Sequence, residues 1–186
     1  MQLIYICNTL KARTNVVLLH TMRKENTTIN SNPLFDLVVK KLLSYKVNFK
    51  VIEHKPLFSI GDVLATMNIL PEQMGKTIIL SQGDGKLIAL ITPGLLQADL
   101  ARVAKYLKMP RNFVKFATKN ELEGVGVVVG SISPFFDCIS RVIVDEKLLS
   151  QEIIYCGSGD LCKTISITAS DLIKVTGADV TSVTKT

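Results

Sequence analysis

The spacing of apolar positions divides this chain into short elements of both kinds. Leu34, Leu37, Val38, Lys41 and Leu42 follow Asn32-Pro33 at helical spacing, and proline suits the first helical position, so a helix is predicted over 33–46. Phe49, Val51 and Ile52 alternate toward His54 as a strand. Ser59 is a favourable N-cap for a helix over 60–68, with Asp62 facing the helix dipole and Pro71 closing the element. Two β-rich runs, 77–80 and 87–91, flank Gln82-Gly83-Asp84-Gly85 and predict an antiparallel hairpin. Leu100, Val103, Ala104 and Leu107 fall on one face of a helix over 97–108, and Thr118 caps a helical turn through Glu123. The glycine-rich run 124–136 reads as a strand leading into a tight loop with exposed backbone amides. Further strands are predicted at 139–144, 152–156, 164–167 and 179–183, with a turn at Gly157-Ser158-Gly159-Asp160 and a short helix over 170–174. Strands joined by hairpins point to an α+β fold, a mixed and largely antiparallel sheet with packed helices, rather than a doubly wound one.

Composition narrows the class. The 186 residues are 47% hydrophobic and 20% charged, which suits a globular domain and excludes disorder or coiled coil as a description of the whole. Mean hydropathy is +0.32, yet no stretch approaches ~18 uninterrupted apolar residues, so a membrane span is not expected. Residues 1–31 show no clean period and are read as an N-terminal arm, with the domain over 32–186 and Met22 as an alternative start. Leu3–Cys7 is too short for a signal-peptide core, which points to the cytoplasm.

Net charge is +6, and the first 50 residues hold eight basic residues against two acidic ones, which accounts for all of it. A second basic stripe runs through Arg102, Lys105, Lys108, Arg111, Lys115 and Lys119, with no acid between Asp99 and Glu121. Such a face can hold phosphates or can be a solvated surface. The four cysteines, Cys7, Cys138, Cys156 and Cys162, form no Cys-x-x-Cys pair and lie far in sequence from His20 and His54. Free thiols are expected rather than a zinc site, a cysteine nucleophile or a Cys156–Cys162 disulfide. No dinucleotide or P-loop fingerprint occurs.

Four signatures then appear in order: Glu53-His54-Lys55-Pro56-Leu57-Phe58-Ser59; Gly75-Lys76-Thr77-Ile78-Ile79-Leu80; the Gly-x-x-x-Pro loop Gly130-Ser131-Ile132-Ser133-Pro134-Phe135; and Tyr155-Cys156-Gly157-Ser158-Gly159, followed by Thr164–Ile167 and Asp171-Leu172. Together they resemble the YbaK/prolyl-tRNA synthetase-associated editing domains over residues 34–183. The resemblance implies a barrel-like mixed sheet with helices outside. It implies hydrolysis of the ester between a wrong amino acid and the terminal adenosine of a tRNA, with Ala or Cys on tRNA-Pro as the expected substrates. It implies no metal or organic cofactor. Aminoacyl-tRNA is the implied partner, and prolyl-tRNA synthetase a second.

The resemblance makes Lys76 the functional lysine, a fixed cation for the phosphate or ribose of the last nucleotide. The Gly130–Pro134 loop, with Ser131, would offer backbone carbonyls to the substrate ammonium and amides to the scissile ester. His54 is the one side chain in the matched region that could serve as a base, and it is assigned an orienting or structural role. In the family the substrate's own ribose hydroxyl is thought to assist the water. Phe58, Ser59 and Thr77 are expected as walls, with Ser133, Phe135, Gly157 and Ser158 as further substrate contacts. Arg102, Lys105, Lys108 and Arg111 would guide the tRNA. Phe136 replaces the usual glycine after Pro-Phe and Val125-Gly126 the usual Thr-Gly, while Cys156 and Asp160 fall where the family varies. A non-catalytic tRNA- or nucleotide-binding module of the same fold, and a protein-interaction domain using the basic arm, are the competing readings.

Overall fold

In the computed structural model, which describes residues 32–82, 84–127 and 129–185, one mixed sheet carries the fold. Helix α1 (Pro33–Ser44) starts where expected: the Asn32 side chain accepts from the Leu34 amide at 3.0 Å and Pro33 needs no amide of its own. Strand β1 (Phe49–Glu53) follows, then α2 (Ile60–Met67). Ser59 and Asp62 cap α2 reciprocally, the Ser59 hydroxyl accepting from the Asp62 amide and the Asp62 carboxylate from the amides of Phe58 and Ser59. Asn68, in the left-handed region at φ 50°, ends α2, and Pro71 opens a separate 3₁₀ turn.

The predicted hairpin is β2 (Met74–Ser81) and β3 (Leu87–Pro93), antiparallel from Gly75 opposite Pro93 to Ser81 opposite Leu87. After it come α3 (Leu100–Tyr106), β4 (Lys115–Phe116), α4 (Lys119–Gly124), β5 (Ile139–Asp145), β6 (Ile153–Gly157), β7 (Lys163–Thr168), α5 (Ala169–Thr176) and β8 (Asp179–Thr181). The sheet runs β1-β7-β6-β2-β3-β5-β8, with β4 on β2. The pairs β1/β7, β7/β6, β2/β3 and β2/β4 are antiparallel; β6/β2, β3/β5 and β5/β8 are parallel.

Every residue of β3 is buried, as a strand covered on both faces must be. Its side chains alternate between two cores. Leu87, Ala89 and Ile91 join α1 (Val38, Leu42) and α5 (Leu172, Val175) on one face. Ile88 and Leu90 join Leu100, Val103 and Ala104 of α3 on the other. The C-terminal end is tied back by Asp145, fully buried, whose carboxylate accepts from the amides of Lys147, Val183 and Thr184 at 2.9–3.0 Å.

One expectation needs correction. None of the described residues of 125–138 forms a strand. Gly126 and Gly130 sit at φ 76° and 94°, which breaks the extended backbone. The segment packs as an irregular loop instead, with Val127, Phe135 and Phe136 in the core. Strand β4 was not anticipated, since two residues carry no period. The arm assigned to residues 1–31 lies outside the described residues.

Candidate active site

The two partners of one β2 edge leave a gap between them. Along β2, strand β6 pairs only with Met74 and Gly75, and β4 only with Leu80 and Ser81. At the β6 end of this gap a cavity of about 290 Å³ opens, lined by β2 from Met74 to Thr77, the segment from His54 to Ile60, the turn 130–132, and residues of β6, β7 and their connection. That is at the small end of the roughly 300–1,000 Å³ usual for ligand sites.

Lys76 stands in its wall. Its ammonium donates to the carbonyls of Gly94 at 3.1 Å and Leu96 at 2.6 Å, which commits two of its three N–H bonds. Burial lowers its pKa from the ordinary lysine value. Gly130 and Ser131 face the same cavity. Two glycines permit the approach of that turn. Gly130 adopts φ 94°, and a Cβ on Gly157 would run into the Ile132 carbonyl.

His54 is held at both ring nitrogens. Nδ1 lies 2.8 Å from the Lys55 carbonyl and must donate to it, while Nε2 is hydrogen-bonded to the Thr164 hydroxyl at 2.9 Å. The ring therefore braces the cavity and has no lone pair left for a water. Thr77 also lines the cavity, and its buried hydroxyl has no hydrogen-bond partner in the structure. Phe58 stands at the rim, 71% exposed. Ser59 lines the cavity while its hydroxyl caps α2.

The remaining predicted contacts lie behind this surface. Ser133, Pro134, Phe135 and Ser158 are buried and do not line the cavity. The Ser133 hydroxyl accepts from the Phe135 amide, and Ser158 donates to the Lys163 carbonyl at 2.6 Å, shaping the turn that carries Gly157. Phe136 is buried too, against Gly159, and does not narrow the cavity.

Sequence reasoning missed Tyr155, Cys156, Asp160, Lys163 and Thr164 as wall residues, although most lie inside or beside the fourth signature. Asp160 is spoken for: it accepts from the Cys162 amide at 2.8 Å and pairs with Lys163 at 3.2 Å. Burial pushes the Cys156 thiol up to about 12, so it stays protonated at neutral pH and is no nucleophile. Cys138, Cys156 and Cys162 are free thiols. Among the described residues no His/Cys/Asp/Glu group could hold a metal ion, and no helix is long and apolar enough to cross a membrane.

Of the basic residues assigned to tRNA, Lys105, Lys108 and Arg111 are exposed. Arg102 is half-buried, paired with Asp99 at 3.4 Å and bonded to the Ser182 hydroxyl at 3.2 Å.

Solved structures share this architecture. A hypothetical protein is 21% identical, with a TM-score of 0.72 over 80% of this chain and 99% of its own. A protein provisionally assigned as a trans-editing enzyme for prolyl tRNA synthetase is 18% identical, with a TM-score of 0.72 over 83% of this chain and 98% of its own. A larger protein from Marinobacter aquaeolei VT8, provisionally assigned to signal transduction, is 13% identical, with a TM-score of 0.61 over 81% of this chain and 31% of its own. Likeness at these identities establishes the fold, which hosts more than one assignment. The sequence carries the argument further, because the model of the aminoacyl-tRNA editing domain matches residues 54–175, well over half of the chain and the span that contains every wall of the cavity. The chain belongs to the aminoacyl-tRNA editing domain family.

Proposed function

We propose that this protein is a trans-acting deacylase that hydrolyses the ester of mischarged tRNA carrying a small amino acid such as Ala or Cys, with tRNA-Pro as the expected acceptor. The observation that carries the reading is the convergence of Lys76 and the Gly130–Ser131 turn on one small cavity.

In this reading the terminal adenosine enters past Phe58. Lys76, pinned by two carbonyls, presents its remaining N–H to a phosphate or ribose oxygen of that nucleotide. The Thr77 hydroxyl, otherwise without a partner, donates to or accepts from the substrate. Water attacks the ester carbonyl, the bond to the ribose oxygen breaks, and that oxygen leaves with a proton while the amino acid departs as the free acid. Amides of the 130–131 turn stabilise charge on the carbonyl oxygen; loss of one such donor costs about 2.7–4 kcal/mol elsewhere. No protein base is needed in this scheme. His54 is used at both nitrogens, Asp160 is paired, and Cys156 is protonated; the family resemblance gives assistance of the water to the ribose hydroxyl next to the ester.

Walls of Ile60, Val63, Ile132 and Leu161 and the small volume favour a short side chain. A synthetase pocket discriminates one methylene by only about 1–3 kcal/mol, so a second pocket that admits what is small adds the missing selectivity. The test is a panel of tRNAs charged with Ala, Cys, Ser and the cognate amino acid. Ester loss is expected for small residues and not for the cognate one. A Lys76→Ala variant as fast as the parent would overturn the mechanism. Tight tRNA binding without ester loss on any of them would replace it with a binding module.

A further inference from the structure

Lys76 is shared by a second cavity, of about 530 Å³, on the α3 side of the sheet. The strand pattern explains how. Lys76, Ile78 and Leu80 point to one face of β2, and Phe116 of β4 lies opposite Leu80 in the antiparallel register, so its ring is on that same face. The ring is 55% exposed although it lines a cavity.

Cations surround it. Arg111 lies in the wall and gives one guanidinium N–H to the Val114 carbonyl at 2.8 Å, keeping most of its fork. Lys185 lies in the wall beside Gln97, whose side-chain oxygen its ammonium reaches at 3.2 Å. The one carboxylate in the wall, Asp99, is occupied by the amides of Ala101 and Arg102 and by the Arg102 guanidinium. Three cations against one neutralised acid, around an open aromatic face, suit a group that is both anionic and planar. A nucleotide has that chemistry: bases stack on aromatic rings for about 1–3 kcal/mol each, and phosphates take arginine and lysine. An acidic peptide would use the charges and leave the ring face idle.

We propose that this second cavity takes the unpaired nucleotide immediately before the terminal adenosine of the RNA, its base stacked on Phe116 and its phosphate held by Arg111 and Lys185. The proposal rests on the deacylase reading for the identity of the RNA. Consecutive nucleotides share one phosphate, and two cavities that share one lysine suit such a pair.

The test measures binding of a 5′-labelled CCA ribonucleotide by fluorescence anisotropy, against the same trimer lacking the middle base and against adenosine monophosphate as competitor. The intact trimer should bind at least tenfold more tightly than either. Phe116→Ala and the double variant Arg111→Gln/Lys185→Gln should each lose about tenfold for the trimer, with adenosine monophosphate affinity unchanged, and Phe116→Tyr should restore stacking. The double variant should also flatten the salt dependence, since each lost phosphate contact reduces the slope by about one. Thermal melts of each variant confirm that the exposed positions leave the fold intact. Trimer affinity within twofold of the parent in both Phe116→Ala and the double variant overturns the proposal, as does equal affinity for the trimer with and without its middle base. The two readings fail separately. Phe116-dependent trimer binding with no ester loss from any charged tRNA keeps this subsite and removes the hydrolase. Ester loss with trimer affinity untouched by the variants does the reverse.

Discussion

The ammonium of Lys76 and the carbonyl of Leu96 meet at 2.6 Å, across 20 residues of chain, and that bond fixes where the cation of the cavity stands. A lysine at a strand end is ordinarily a solvated, mobile charge. Here the bend after β3 clamps it through Leu96 and Gly94, so its charge is held in place.

The clamp makes a prediction about charge and pH. Lys76→Met keeps the length and removes the cation, and should cost at least about 10² in deacylation rate, about 2.7 kcal/mol of barrier. Because burial lowers the Lys76 pKa, the folded protein sheds this proton at a lower pH than the unfolded chain does. Activity, corrected for uncatalysed hydrolysis, should therefore fall with rising pH just below the ordinary lysine range. Across the same window the unfolded chain binds more protons, so this group's contribution makes stability rise with pH. Lys76→Met should remove both limbs, as rate profiles and urea midpoints against pH would show.

Gly157 is the hinge of the other half of the site. Gly157→Ala places a methyl against the Ile132 carbonyl and forces the 130–132 turn away from β6. Turnover should drop by about 10²-fold, the scale of a lost oxyanion donor, with far-UV circular dichroism unchanged. A variant as active as the parent would detach that turn from the chemistry.

Cys156 lines the cavity but should be a spectator. Its thiol is pushed up to about 12 by full burial. Cys156→Ala should keep kcat within about twofold while losing stability, by analogy with other buried truncations, on the order of 1–2 kcal/mol. Alkylation at neutral pH followed by mass spectrometry should label exposed Cys138 and spare Cys156 until urea unfolds the chain.

Asp145 predicts a purely structural effect. Its removal would strand three amides that now share one buried carboxylate. Asp145→Ala should lower unfolding free energy by about 2–3 kcal/mol in urea titrations. Asp145→Asn should recover part of that, because one amide oxygen still accepts.

Much of the fold was legible because its signals are local. Asn32-Pro33, the Ser59/Asp62 box and the Thr118 cap act within one helical turn, and Gln82–Gly85 between two β-rich runs specifies its own hairpin. The run at 124–136 misled for a related reason: its valines and isoleucine favour a strand, but the positive φ of Gly126 and Gly130 breaks the extended backbone there. The motifs single out Lys76, Gly130 and Gly157, whereas their meeting at one cavity is set by the folded sheet.

The sequence by itself determined the caps, the hairpin, the order of the four signatures and the excess of positive charge. Tertiary structure alone decided that Leu96 holds Lys76, that Thr164 occupies the second nitrogen of His54, that Ile132 fills the space a Gly157 side chain would take, and that Phe116 shares a face with Lys76. The physical reason is range. A cap or a tight turn is settled by neighbours a few residues away, whereas each of these relationships closes a loop of 20 residues or more and exists only once the strand order of the sheet has brought its two ends together.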